Sequence, residues 1–143
     1  MDLAADMQWA DEIITVDNVD PVESVLSLTE GHGADVVVDA AGSSKALQTA
    51  LECVKRLGRV VKIGWGPEPY GHSLDILLRK SVHLSGTFGH NWRSWRAVLE
   101  LMEAGRIDPK AMISKAFPIS QWQQAFELAE SKQAVKVLIK PEE

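Results

Sequence analysis

The sequence predicts an α/β fold built on a parallel sheet, and three features carry that expectation. Short apolar runs alternate with stretches of helical period as far as Gly89. Residues 35–41 (DVVVDAA) form a nearly unbroken apolar run, the texture of a strand covered on both faces. Glycines stand at the junctions: Gly31 and Gly33 before that run, Gly42 after it, Gly58 and Gly64 around the next. Strand, helix, strand with such punctuation is the βαβ pattern, which implies right-handed crossovers and parallel neighbours.

The elements follow in order. Residues 12–17 (EIITVD) read as a first strand. Asp20-Pro21-Val22-Glu23 opens a helix: Asp20 can cap it, Pro21 suits its first turn, and Glu23 completes a capping-box arrangement. The helix runs through Leu26 and Leu28 to the Gly31-His32-Gly33 breaker. After the strand at 35–41, Gly42-Ser43-Ser44 starts a helix with Ala46, Leu47, Ala50, Leu51 and Val54 on one face. Gly58 ends it, and residues 59–64 (RVVKIG) give the next strand. A Pro/Gly-rich loop at 65–71 leads to a mixed stretch, 73–80, and a strand at 82–87.

Beyond Gly89 the texture changes. Asn91 caps a helix whose expected buried stripe is Trp92, Trp95, Val98, Leu99 and Met102, with Gly105 closing it. Residues 113–117 are extended up to Pro118. Ser120 with Gln123 forms a capping box for a helix with Trp122, Ala125, Phe126 and Ala129 on one face, and 134–140 is the last strand.

Composition narrows the class. Hydrophobic residues make up 45% and charged residues 24% of 143, as in ordinary globular chains. A net charge of −5 without a basic block argues against nucleic acid or an anionic membrane surface as partner. No apolar run reaches the length of a membrane span, and no basic start with an apolar stretch suggests a secretory leader. The single cysteine, Cys53, excludes an internal disulfide and a cysteine-built zinc site, and suits a reducing cytoplasm. It follows Ala46 and Ala50 in an apolar helical pattern and reads as a buried thiol.

Two places carry candidate chemistry. Ala40-Ala41-Gly42 follows one strand and Gly64-Trp65-Gly66 the next. In open α/β sheets ligands bind beyond the carboxyl ends of strands, although a glycine there as readily serves the turn alone. The fingerprint G-x-G-x-x-G is absent, and Gly31-His32-Gly33 ends a helix rather than opening one. His32, His72, His83 and His90 lack ligand spacing, and no G-x-S-x-G occurs. No catalytic residue and no metal ligand is assigned.

The wording of four segments resembles a known family. ADEIITVD, GADVVVDAAGSSKALQTALECVKRLGRVVKIG, SVHLSGTFGH and AFELAESKQAVKVLIKP look like successive segments of zinc-dependent medium-chain dehydrogenases, in family order. Polyol, threonine (sorbitol- or threonine-dehydrogenase-like) and related alcohol dehydrogenases are the most similar subgroup. The resemblance implies a partial Rossmann-like doubly wound sheet that lacks the first strands of the dinucleotide-binding domain. Residues 1–89 would be a truncated cofactor domain, starting within a helix at 1–10. Residues 90–143 would be the segment that packs on the catalytic domain in relatives, here joining into one compact unit.

The resemblance also implies a site. Ala40, Ala41 and Gly42 would lie near the cofactor ribose; Ile63, Gly64 and Trp65 would meet the nicotinamide. Gly86, Thr87 and Phe88 would meet its carboxamide, and Lys136 the pyrophosphate. The cofactor would be NAD or NADP, bound weakly or not at all. The family's zinc has no ligand set in this sequence. The parent activity would be reversible hydride transfer from a secondary alcohol, with this chain inactive alone. The alternative is a non-catalytic binding or oligomerising module without a cofactor. Lost central strands also imply a homo-oligomer, a dimer through an edge strand at 73–76 or through strand exchange.

Overall fold

The computed structural model describes residues 3–141, and the chain divides between Phe88 and Gly89 into two compact units. In the first unit, β1 (Ala34–Asp39), β2 (Val54–Lys62) and β3 (His83–Gly86) form a parallel sheet in the order β1-β2-β3. The connections are helical: α3 (Ser44–Cys53) between the first two strands and α4 (Asp75–Lys80) between the last two. Ahead of them stand α1 (Leu3–Asp6), a single turn, and α2 (Pro21–Leu28). The starts of α2 and α3 follow from their caps. Asp20 Oδ1 accepts from Val22 N at 2.7 Å and Glu23 N at 3.1 Å, and Ser43 Oγ from Ala46 N at 3.1 Å.

The core lies on one face of this sheet. Leu47, Ala50 and Leu51 of α3 and Ile76 of α4 pack with Val54 and Val60 of β2, and Val37 and Leu84 join from the flanking strands. Leu51, Val54 and Val60 are fully enclosed, each contributing roughly 1.5–3 kcal/mol relative to exposure. The opposite face is open. Val36 and Val38 are each 56% exposed, so β1 is covered on one side only, not on both. The apolar run is of the doubly covered type, but the described helices of this unit supply one covering layer.

Several other expectations need correction. Residues 12–17 form no strand: Ile13 and Val16 are exposed, and no strand among the described residues pairs there. Of the helix expected over 1–10, Met1 and Asp2 lie outside the described residues. Gly58 does not end α3, which stops at Cys53; it lies inside β2, where the pairing register with β1 shifts. Leu57 beside it takes φ 60, a bulge conformation that lets β2 start earlier than the apolar pattern suggests. Residues 73–76 are not an edge strand. Ser73 and Leu74 are loop, and Asp75 and Ile76 begin α4, because Ile76 gains more by entering the core.

The second unit is a small βαβ of its own. β4 (Ile113–Pro118) and β5 (Lys136–Lys140) pair in parallel, connected through α6 (Trp122–Glu130). Among its described residues, Phe117 and Ala125 are buried. The expected α6 face is only partly right: Trp122 and Phe126 are more than half exposed and contact each other edge to face. α5 (Trp92–Glu103) begins as expected, with Asn91 Oδ1 accepting from Ser94 N at 3.0 Å, yet its apolar stripe is not buried.

Candidate functional site

Because β1, β2 and β3 run parallel, their carboxyl ends share one edge of the sheet, and nine of the sequence-predicted site residues lie at or just beyond those ends. Ala40, Ala41 and Gly42 follow β1; Ile63, Gly64 and Trp65 follow β2; Gly86 ends β3, with Thr87 and Phe88 beyond it. The first two loops are in backbone contact. Asp39 O accepts from Ile63 N at 2.9 Å and Gly64 N at 2.8 Å. A Cβ on Gly64 would lie 2.4 Å from Gly42 N, and one on Gly42, at φ +80°, would lie 2.6 Å from Trp65 O. Glycine at both positions is therefore required by the loop-to-loop approach itself. Gly86 differs: nothing lies nearer its Cβ position than Lys62 O at 3.9 Å, so space is open there. Thr87 N donates to Lys62 O at 3.2 Å, which extends the third strand end against the second.

Two aromatic rings stand over this edge. Trp65 and Phe88 are 82% and 85% exposed and meet edge to face with centroids 5.6 Å apart. Large rings left this open beside a loop crossing offer apolar surface to a planar ligand. The 65–71 loop folds back over the start of α3. Glu68 Oε2 accepts from Ser44 N at 3.5 Å, and Ser44 Oγ accepts from Gly71 N at 3.3 Å. A carboxylate thus already sits at that helix N-terminus, the position an anion would take.

Sequence reasoning passed over two charged residues here. Asp39 and Lys62 are register partners at the ends of β1 and β2, and Lys62 Nζ lies 3.1 Å from Asp39 Oδ2. The Asp39 carboxylate is buried, and the lysine is about one third exposed at 32%. The available signal was an acid and a base that follow directly on the valine runs 36–38 and 60–61.

A cleft of about 730 Å3 lies at the other end of the strands, among Thr29, His32, Asp35, Lys55, Arg56 and Lys80. Its cations are engaged: Lys55 pairs with Asp35, Arg56 Nη1 donates to Arg79 O, and Lys80 Nζ donates to three carbonyls. Ligands of open parallel sheets approach the carboxyl edge, so size alone does not make this cleft the site. Lys136 opens β5 in the second unit and is exposed.

A model of the zinc-binding dehydrogenase family matches residues 1–104. The chain belongs to that family. It is similar to the L-threonine 3-dehydrogenase of Bacillus licheniformis, 33% identical over 99% of this chain and 41% of that protein. It is also similar to a sorbitol dehydrogenase of Halalkalibacterium halodurans, 26% identical over 92% of this chain and 38% of that protein. Among solved structures, alcohol dehydrogenase TADH from Thermus sp. ATN1 superposes with a TM-score of 0.83 at 31% identity, covering 90% and 38% of the two chains. An oxidoreductase/dehydrogenase of unknown specificity from Escherichia coli gives 0.88 at 26%, covering 99% and 41%. The family and the Rossmann-type α/β fold read from the sequence are those found. This zinc-binding dehydrogenase chain spans about two fifths of the length of the relatives it matches.

The family's two accessory groups fit this member differently. Among the described residues no group of three or more His, Cys, Asp or Glu could hold a metal ion. His72 tilts against Tyr70 and His90 meets Trp95 edge to face, so neither ring is gathered with other ligands. Cys53 is buried, and burial pushes its thiol pKa up. Zinc does not fit. The carboxyl-edge loops fit the nicotinamide end of a dinucleotide better, with close backbone, open space at Gly86 and the exposed rings of Trp65 and Phe88.

Proposed function

We propose that this chain carries the nicotinamide half of the cofactor cleft of an alcohol- or polyol-oxidising dehydrogenase, and that it does not turn over alone. The observation supporting this is the meeting of three strand-end loops at one sheet edge, two in glycine backbone contact and two presenting Trp65 and Phe88. The backbone at Ala40–Gly42 lies against the ribose, Ile63, Gly64 and Trp65 meet the nicotinamide, and Gly86, Thr87 and Phe88 meet its carboxamide. NAD or NADP, when bound, supplies a ring that accepts or releases hydride. Affinity is weak, because Glu68 occupies the N-terminus of α3 and no glycine-rich turn opens a helix in this sequence.

Backbone amide spectra during titration with NADH and NADPH test this reading. Shifts are expected at 40–42, 63–66 and 86–88; shifts elsewhere, or none at millimolar cofactor, overturn it. Oxidation of secondary alcohols or polyols with either cofactor is expected to stay at the buffer level with or without zinc. Zinc-dependent turnover by the pure chain would sink the second half of the proposal. A second reading, a non-catalytic oligomerising module, is favoured by α5, where Trp92 is 72% and Trp95 49% exposed. Such stripes are rare on stable monomers.

A further inference from the structure

A line of polar bonds crosses between the two glycine-contact loops, and the two charged side chains that make it are not among the ligand contacts proposed above. The Asp39 carboxylate accepts from Ala41 N at 3.0 Å, Gly42 N at 3.3 Å and Lys62 Nζ at 3.1 Å. Lys62 Nζ also donates to Gly64 O at 2.8 Å. The amides of one loop are thus joined through a carboxylate and an ammonium to a carbonyl of the other. Asp39 is 4% exposed, and burying a charge is costly unless it is paired and fully hydrogen-bonded. The enclosed centre of this unit is apolar at Leu51, Val54 and Val60, and the buried charge stands instead at the carboxyl edge.

We propose that Asp39 and Lys62 are positioning residues for the dinucleotide: they set the spacing and rotation of the 40–42 and 63–66 loops, and act on the ligand only through those loops. This rests on the cofactor reading above. Gly42 and Gly64 let the loops approach, and the charge pair decides where the approach stops. Asp39 turns the first loop by holding two successive amides, as an Asx turn does, and Lys62 ties that turn to the second loop.

The test compares the full chain with Lys62→Met, Lys62→Arg and Asp39→Asn by backbone amide spectra, with and without NADH. In Lys62→Met, the Ala41, Gly42 and Gly64 amides shift in the free protein while those of Leu51 and Val60 hold. The NADH-induced shift per unit concentration falls about tenfold, the scale of a lost charge-assisted hydrogen bond. Lys62→Arg, which keeps charge and donors, restores the response to within about twofold. Asp39→Asn keeps an oxygen for the two amides and serves as the second variant if Lys62→Met does not fold; it too loses the NADH response. A purely structural role would lower the unfolding midpoint of these variants and leave the response of the folded protein unchanged, which overturns the proposal. Failure of Lys62→Arg to rescue overturns it as well. If the unsubstituted chain shows no NADH response, the cofactor reading falls and the positioning role falls with it. A response present and equal in all variants removes the positioning role alone.

Discussion

Replacing Lys80 by methionine probes how α3 is terminated. The last carbonyls of a helix have no partner within it. Here Lys80, at the end of α4, donates to Leu51 O at 3.1 Å, Glu52 O at 2.6 Å and Val54 O at 2.8 Å. One ammonium thus satisfies the end of α3 and the start of β2, beside the enclosed Leu51 and Val54. Methionine keeps the apolar stem and removes all three donors. Bonds to a charged group are worth about 1.5–3 kcal/mol each, but water can reach this half-buried end, so the summed loss should be roughly 2–4 kcal/mol. For a unit of this size that lowers the midpoint by roughly 10–25 °C. Urea and thermal unfolding followed by circular dichroism measure it.

pH adds a second readout for the same residue. Burial lowers the Lys80 pKa, with Cys53 and Glu52 opposing that shift. Between the lowered and the ordinary lysine values the folded state binds fewer protons than the unfolded one. Stability from this group therefore rises with pH across that window, and the rise is missing in Lys80→Met. A loss below about 0.5 kcal/mol would show that water satisfies these carbonyls as well as the ammonium does, refuting the reasoning.

Gly64→Ala should push the two site loops apart, since its Cβ would meet Gly42 N at 2.4 Å and Ala40 C at 2.6 Å; a cost of about 1–3 kcal/mol in urea unfolding and loss of any NADH response are expected. Cys53 should react with a thiol reagent only on unfolding. Because burial raises its pKa, its contribution is fully present below the ordinary thiol value and is lost as pH rises from there through the raised one. Unfolding curves should show this alkaline decline in the unsubstituted chain relative to Cys53→Ala, and parallel curves would refute it. Light scattering at micromolar concentration should give twice the 15.7 kDa chain mass, through the apolar stripe open on α5; the single-chain mass would refute oligomerisation.

Much of the local structure was legible in the residues themselves. Asp20, Ser43 and Asn91 each cap the helix they precede. The parallel βαβ order followed from apolar runs broken by glycine, and the carboxyl-edge loops could be named before any strand was paired. These signals act between near neighbours in the chain, through capping bonds, helical period and allowed φ, so composition and spacing carry them. What depends on a distant partner was not legible. Residues 12–17 have strand composition, but a strand exists only beside another strand, and none of those described lies there. Val36 and Val38 read as buried, yet burial needs a second covering layer, and the described helices of their unit cover the other face. Gly58 reads as a helix stop, whereas pairing with β1 drew the preceding residues into β2. Asp39 and Lys62, 23 positions apart, carry no local mark of being partners. The parallel register alone sets them side by side, because side chains on neighbouring strands meet only once the ladder has fixed which residues stand opposite.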